Sequence, residues 1–169
     1  MEISNRKKIR LENFDYSSNG AYFVTICTHN RQKILAKICR DDPRGRPQTV
    51  LYPVGKLAAD TMDAVERTYG VHIDYRVIMP DHIHLIVFLP ERQPGEKAVS
   101  LGRIIGAYKS IVANQWLKEC KAKGEIMGEI WQRGFYEHII RNEADLREIR
   151  EYIVGNPDRW AESNSCMHR

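Results

Sequence analysis

The stretch Met79-Pro80-Asp81-His82-Ile83-His84-Leu85-Ile86-Val87-Phe88-Leu89-Pro90 is the feature the rest of the chain must be built around. One proline opens it, another closes it, and the residues between are mostly apolar. That length and composition predict a central β-strand. Side chains on a strand alternate between its two faces. Ile83, Leu85 and Val87 therefore point into a core. His82 and His84 share the opposite face, with Cα atoms about 7 Å apart. Two imidazoles on one face of a rigid strand suit a metal clamp. Two surface histidines, or one satisfied core histidine, account for the same spacing.

The neighbouring segments say what packs around that strand. Val71–Met79 reads as a second strand running straight into Pro80-Asp81, which makes an antiparallel hairpin. Ala21–Thr28 is a further strand, rich in β-branched and aromatic residues. Val50–Pro53 reads as a short edge strand, since its proline cannot donate to a ladder. A helix is predicted over Gly55–Tyr69, with Leu57, Ala58, Met62 and Val65 inward and Gly70 at its end. A second is predicted from a Ser100 cap to Cys120, burying Leu101, Ile104, Ile105, Tyr108, Val112 and Trp116. Glu129–Ile140 reads as the last strand, with Gly134 a candidate bulge. Residues 41–49 read as an exposed loop. Helices interleaved with mostly antiparallel strands imply an α+β fold with a ferredoxin-like core, its helices packed on one face of the sheet.

Length and composition narrow the class. The chain of 169 residues is expected to form one domain, residues 1–169, with enough length for a sizeable core. Apolar residues at 43% and charged residues at 28% describe an ordinary soluble globule. No apolar run reaches the length of a membrane span, so no membrane partner is expected. Residues 1–12 form a basic arm carrying Arg6, Lys7, Lys8 and Arg10, without the apolar centre of a signal peptide. Such an arm is a solvated tail or a contact for a phosphate backbone. Cys27, Cys39, Cys120 and Cys166 lack paired spacing. That argues against a zinc knuckle or a disulfide framework and fits a reducing cytoplasm. A net charge of +4 is compatible with a polyanionic partner without requiring one.

Near the C-terminus, Asp145–Pro157 reads as a helix with Leu146, Ile149 and Ile153 on one apolar stripe. Tyr152 and Asn156 are four residues apart and would share a face of that helix. The pair offers a phenol nucleophile and an amide oxygen one turn later. A packing tyrosine and a C-terminal helix asparagine fit the same positions.

Four blocks in order resemble the single-tyrosine HUH transposases, most closely those associated with REP sequences in bacteria. They are Tyr16–Thr28, the Met79–His84 block, Trp131-Gln132-Arg133 with Tyr136–Asn142, and Ile149–Ile153 with Asn156-Pro157. The Arg44–Thr49 region does not align. The resemblance implies cleavage and rejoining of single-stranded DNA beside a hairpin, through a covalent 5′-phosphotyrosine. Carried over by position, Tyr152 is the nucleophile. His82, His84 and Asn156 hold a divalent metal, Mg2+ or Mn2+, which leaves positions open for phosphate oxygens. His138 is a candidate for support in the active site, or a structural residue of its strand. Lys109, Arg133 and Arg141 are candidate phosphate contacts. Trp131 and Tyr136 are candidate stacking platforms, or core residues. The expected partner is hairpin or single-stranded DNA, with the protein a monomer or homodimer. The alternatives are a catalytically retired hairpin-DNA-binding protein and a hydrolase of small phosphodiesters.

Overall fold

The computed structural model describes residues 19–39, 46–91 and 99–165. The basic arm with Arg6, Lys7 and Lys8, and Arg44 of the 41–49 segment, lie outside those residues.

Four strands make the main sheet: β1 (Gly20–Cys27), β4 (His72–Ile78), β5 (His82–Leu89) and β6 (Tyr136–Ile140). Their spatial order is β4-β5-β1-β6, and every neighbouring pair is antiparallel. Helix α1 (Pro53–Tyr69) connects β1 to β4, and helix α2 (Leu101–Lys123) connects β5 to β6. This is the β-α-β-β-α-β ferredoxin-like arrangement, with the histidine strand inside the sheet. A separate ribbon of β2 (Ala36–Cys39) and β3 (Gln48–Leu51) is inserted before α1. The sequence pattern anticipates the second half of β3, assigning Gln48 and Thr49 to a loop and Pro53, the first residue of α1, to the strand; it does not anticipate β2. Four residues with one charged member in Ala-Lys-Ile-Cys carry too little alternation to declare a strand.

The larger core lies between the sheet and helices α1 and α2. Val24, Ile26, Ile83, Leu85 and Val87 meet Ala58, Met62, Val65, Ile104, Ile105 and Val112 there. Of the predicted inward residues, Ala58, Met62 and Val65 on α1 and Leu101, Ile104, Ile105, Tyr108 and Val112 on α2 are buried, whereas Leu57 and Trp116 are only half-buried; the Tyr108 hydroxyl donates to the Ala58 carbonyl at 3.0 Å. Gly70 and Gly124 end the two helices in the left-handed conformation, at φ 61° and 69°.

The expectation that helices cover one face alone is corrected by α3 (Glu143–Val154), which packs on the other. Its Leu146 and Ile153 close over Ile86, flanked by Phe23, Val77, Phe88, Ile140 and Ile149. Phe23 pairs with Ile86, and Ile86 lies on the same face of β5 as His82 and His84. The apolar stripe read from the sequence therefore docks α3 beside the imidazoles.

Two element boundaries also differ. The terminal helix does not run from Asp145 through Pro157. It ends at Gly155, and a new helix, α4 (Asn156–Ser165), starts with Asn156. Proline at the second position of α4 has no amide to donate, so it begins a helix more readily than it continues one. Tyr152 and Asn156 thus belong to different helices. The last strand begins at Tyr136 rather than Glu129. Gly134 is left-handed at φ 77° and turns the chain off the ladder, while Trp131 forms an isolated bridge to Thr28. No helix of the described residues is long and apolar enough to cross a membrane.

Candidate active site on the histidine face

Strand register assembles this face. Cross-strand partners present side chains on the same side of a sheet. Thr25 pairs with both His84 and Tyr136, and Val77 pairs with His84. One transverse row therefore reads Tyr136, Thr25, His84, Val77. Cys27 pairs with His82 in the next such row along β1 and β5.

Both imidazoles are buried, at 6% exposure for His82 and 5% for His84. Their ring centroids lie 4.5 Å apart. Each ring is held through Nδ1: His82 donates to the Asp81 carboxylate at 2.5 Å, and His84 meets the Thr25 hydroxyl at 2.8 Å. With Nδ1 protonated in each ring, Nε2 is the nitrogen that carries the lone pair. Burial holds both rings neutral. It pushes His84 down to about 3, helped by the neighbouring His82. It also lowers His82, against the pull of the Asp81 carboxylate. Asp81 is itself secured by the Arg31 guanidinium, whose Nε lies 3.3 Å from the second carboxylate oxygen.

Tyr152 reaches this face from α3. Its hydroxyl lies 3.5 Å from His84 Nε2 in the same chain. The phenol ring stands edge-on to Phe23, with centroids 5.9 Å apart, and is 42% exposed. Two ties set its height above the sheet. The Asn142 side chain caps the start of α3 by accepting from the Asp145 amide at 2.9 Å. The Arg150 guanidinium donates to Asp74 on β4 at 2.7 Å. From α4, Arg159 lies over the phenol, its guanidinium carbon 4.6 Å from the ring centre, and donates to the Tyr152 carbonyl.

Asn156 is buried at 7% exposure where α4 begins. In chain order it sits between Tyr152, which touches His84, and Trp160, whose ring is 6.1 Å from that of His82. Among the described residues no group of three or more His, Cys, Asp or Glu side chains is placed to hold a metal.

The other candidates take varied positions. His138 Nε2 engages Asp145 at 3.0 Å, a tie between β6 and the first turn of α3. That contact holds the Asp145 carboxyl below the usual carboxylate range. The Lys109 ammonium donates to the carbonyls of Gln132 and Gly134 at 2.7 and 2.8 Å, and the Trp131 indole donates to the Lys109 carbonyl. Lys109 and Trp131 thus brace the segment before β6. Arg133, Tyr136 and Arg141 are exposed. Sequence reasoning missed Thr25, Arg31, Asp81 and Arg159. Asp81 carried a signal, being joined directly to His82; the others come from register and a helix break.

The sequence profile described as "Transposase IS200 like" matches residues 16–156.

The chain belongs to the IS200-like transposase family.

It is 31% identical to a Haemophilus influenzae protein of no assigned function, over 94% of this chain and 91% of that one. A second protein of that organism, provisionally named a REP-associated tyrosine transposase, is 30% identical over 85% of this chain and 73% of its own length. A REP-associated tyrosine transposase of Escherichia coli K12 is 29% identical over 84% of this chain and 68% of its own. Within the family, this chain falls among the single-tyrosine HUH transposases of the REP-associated group. The fold agrees: a solved REP-associated tyrosine transposase bound to a REP hairpin superposes with a TM-score of 0.61 at 24% identity. That match covers 89% of this chain and 73% of the other.

Proposed function

We propose that this transposase cleaves and rejoins single-stranded DNA beside a hairpin, with Tyr152 as the nucleophile. The observation that carries the reading is the approach of the Tyr152 hydroxyl to 3.5 Å from His84 Nε2 within one chain. A phenol on a docked helix meets one of two adjacent neutral imidazoles on a rigid strand. Hairpin recognition is carried over from the solved relative, whose own bound DNA is a REP hairpin.

His82 and His84 fit a divalent cation because each is neutral and is held through Nδ1 by a hydrogen-bonding partner, which leaves Nε2 as the nitrogen able to ligate. Asn156 would supply the further oxygen. Bound there, Mg2+ or Mn2+ would act as a Lewis acid on a phosphate oxygen and lessen the charge that repels a nucleophile. The remaining work belongs to the chain. Phe23 and Arg159 hold the phenol between an aromatic edge and a guanidinium. The phenol oxygen forms a bond to phosphorus while the bond to the 3′ oxygen breaks. The phenol loses its proton, and the 3′ oxygen leaves as a hydroxyl after taking one up. The phosphoester count is conserved, so another 3′ hydroxyl can displace the tyrosine without a nucleoside triphosphate.

A labelled REP-type hairpin with single-stranded flanks, incubated with the protein and Mg2+ and run on a denaturing gel, tests this. A covalent protein–DNA band is expected, absent in Tyr152→Phe and in His82→Ala, while native-gel hairpin binding persists. An adduct formed undiminished by Tyr152→Phe refutes the assignment. Tight binding with no adduct from the unaltered chain would instead identify a retired hairpin-binding protein.

A further inference from the structure

Beside the imidazoles, the sheet floor opens into a cleft of about 460 Å3 lined by Thr25, Cys27, Arg31, Gln132 and Tyr136. Sites of roughly 300–1,000 Å3 hold drug-sized ligands, so one nucleotide fits. The cleft adjoins the candidate active site through two floor residues: Thr25 holds His84, and Cys27 is the cross-strand partner of His82. Adjacent strands lie about 4.8 Å apart, which puts the cleft floor one strand from the imidazoles.

The lining has the chemistry of nucleotide recognition. Tyr136 is 45% exposed on β6 and offers a ring. Gln132 offers an amide with both a donor and an acceptor. Arg31 is anchored rather than waving: Nε faces Asp81 at 3.3 Å, and Nη1 donates to Cys27 Sγ at 2.9 Å. These ties hold the guanidinium in place while the side chain stays 52% exposed. The backbone that delivers it is unusual. Asn30 and Arg31 are consecutive non-glycine residues in the left-handed region, at φ 50° and 55°. Such a conformation persists only where the surroundings demand it, and it concentrates at functional sites.

We propose that this cleft seats the unpaired nucleotide next to the cleaved phosphate. Tyr136 stacks on the base, Gln132 meets its edge, and Arg31 holds its phosphate or its base edge. The inference rests on the strand-cleavage reading above and adds where the strand runs: across the sheet, from β5 over β1 toward β6. Stacking a base on an aromatic ring is sequence-tolerant, whereas an amide or a guanidinium at a base edge discriminates between bases. The cleft therefore gives this protein a means of choosing its cleavage position.

The test uses the full chain, Mg2+ and REP-type hairpin oligonucleotides whose flank carries an abasic site at each position beside the mapped cleavage point. At one position the abasic site should slow adduct formation by the unaltered protein about tenfold or more. Tyr136→Ala and Gln132→Ala should each cut the rate on the intact flank and shrink that abasic penalty to about twofold or less. Hairpin affinity should be unchanged, because both residues are placed at the flank. Variants that keep the full penalty overturn the inference alone, as does a protein indifferent to abasic sites on both sides. The lack of any Tyr152-dependent adduct overturns the cleavage reading, and this inference with it.

Discussion

Replacing Asp81 with asparagine probes the arrangement that makes the imidazoles usable. Asp81 is 6% exposed; one oxygen takes the His82 Nδ1 proton at 2.5 Å and the other faces Arg31. An ionised carboxylate only accepts, so His82 is forced into the tautomer whose Nε2 lone pair is free. Asparagine has nearly the same shape but can turn its amide nitrogen toward Nδ1. The proton then moves to Nε2, which can no longer ligate a metal. Loss of such an outer partner costs about 10–100-fold in metal affinity, or about 1.4–2.8 kcal/mol. The assay is adduct formation against Mn2+ concentration, with Mn2+ binding measured directly by the loss of the free-ion resonance signal. The half-saturating concentration should rise about 10–100-fold, with the rate at saturating metal changed far less. An Asp81→Asn protein with the same half-saturation as the unaltered chain would refute the argument that Asp81 sets the tautomer of a metal-binding His82.

Ile153→Ala removes a side chain 1% exposed beneath α3. It should cost about 2–3 kcal/mol, the lower part of the range for such truncations, because this second cluster is small. Denaturant titration measures the loss, and adduct formation should slow as α3 loosens over the sheet. Gly55→Ala would place a Cβ 2.0 Å from the Leu35 carbonyl oxygen. The Leu35 amide donates to the Pro80 carbonyl, so the strain passes to the turn before His82. A destabilisation of about 3 kcal/mol is expected at this overpacked contact, read as a lower unfolding midpoint. Acid should weaken the metal-free fold. The folded pKa of His84, about 3, lies below its ordinary value of 6.5. Between those values the unfolded chain binds more protons. Stability is then full above pH 6.5 and falls as pH drops toward 3, by at most about 1.4 kcal/mol per unit from this group. His84→Gln should flatten that slope in urea titrations run from pH 7 to pH 4.

Much of the local architecture was present in the order of residues. The proline-bounded apolar run of His82–Leu89 identified the strand, the two-residue strand repeat put both histidines on one face, and period-3.6 stripes marked the buried sides of α1, α2 and α3. Those patterns are local because each follows from the geometry of one element. The same locality explains the errors. Four-residue spacing suggested a shared helix face for Tyr152 and Asn156, yet a break at Gly155 depends on how the chain turns back, with Arg159 reaching over the phenol. Alternation extended the last strand to Glu129, yet the Lys109 ammonium holds the preceding segment in a turn.

The chemistry-bearing residue types, and the shared face of the two histidines, were thus settled by the amino-acid order alone. Which of them meet was decided only in three dimensions. Thr25 reaches His84 across 59 positions of chain, and Tyr152 reaches it across 68. Contacts so distant in sequence depend on strand register and on which side of the sheet a helix docks. Both are outcomes of packing the whole apolar surface at once, and no single segment encodes them.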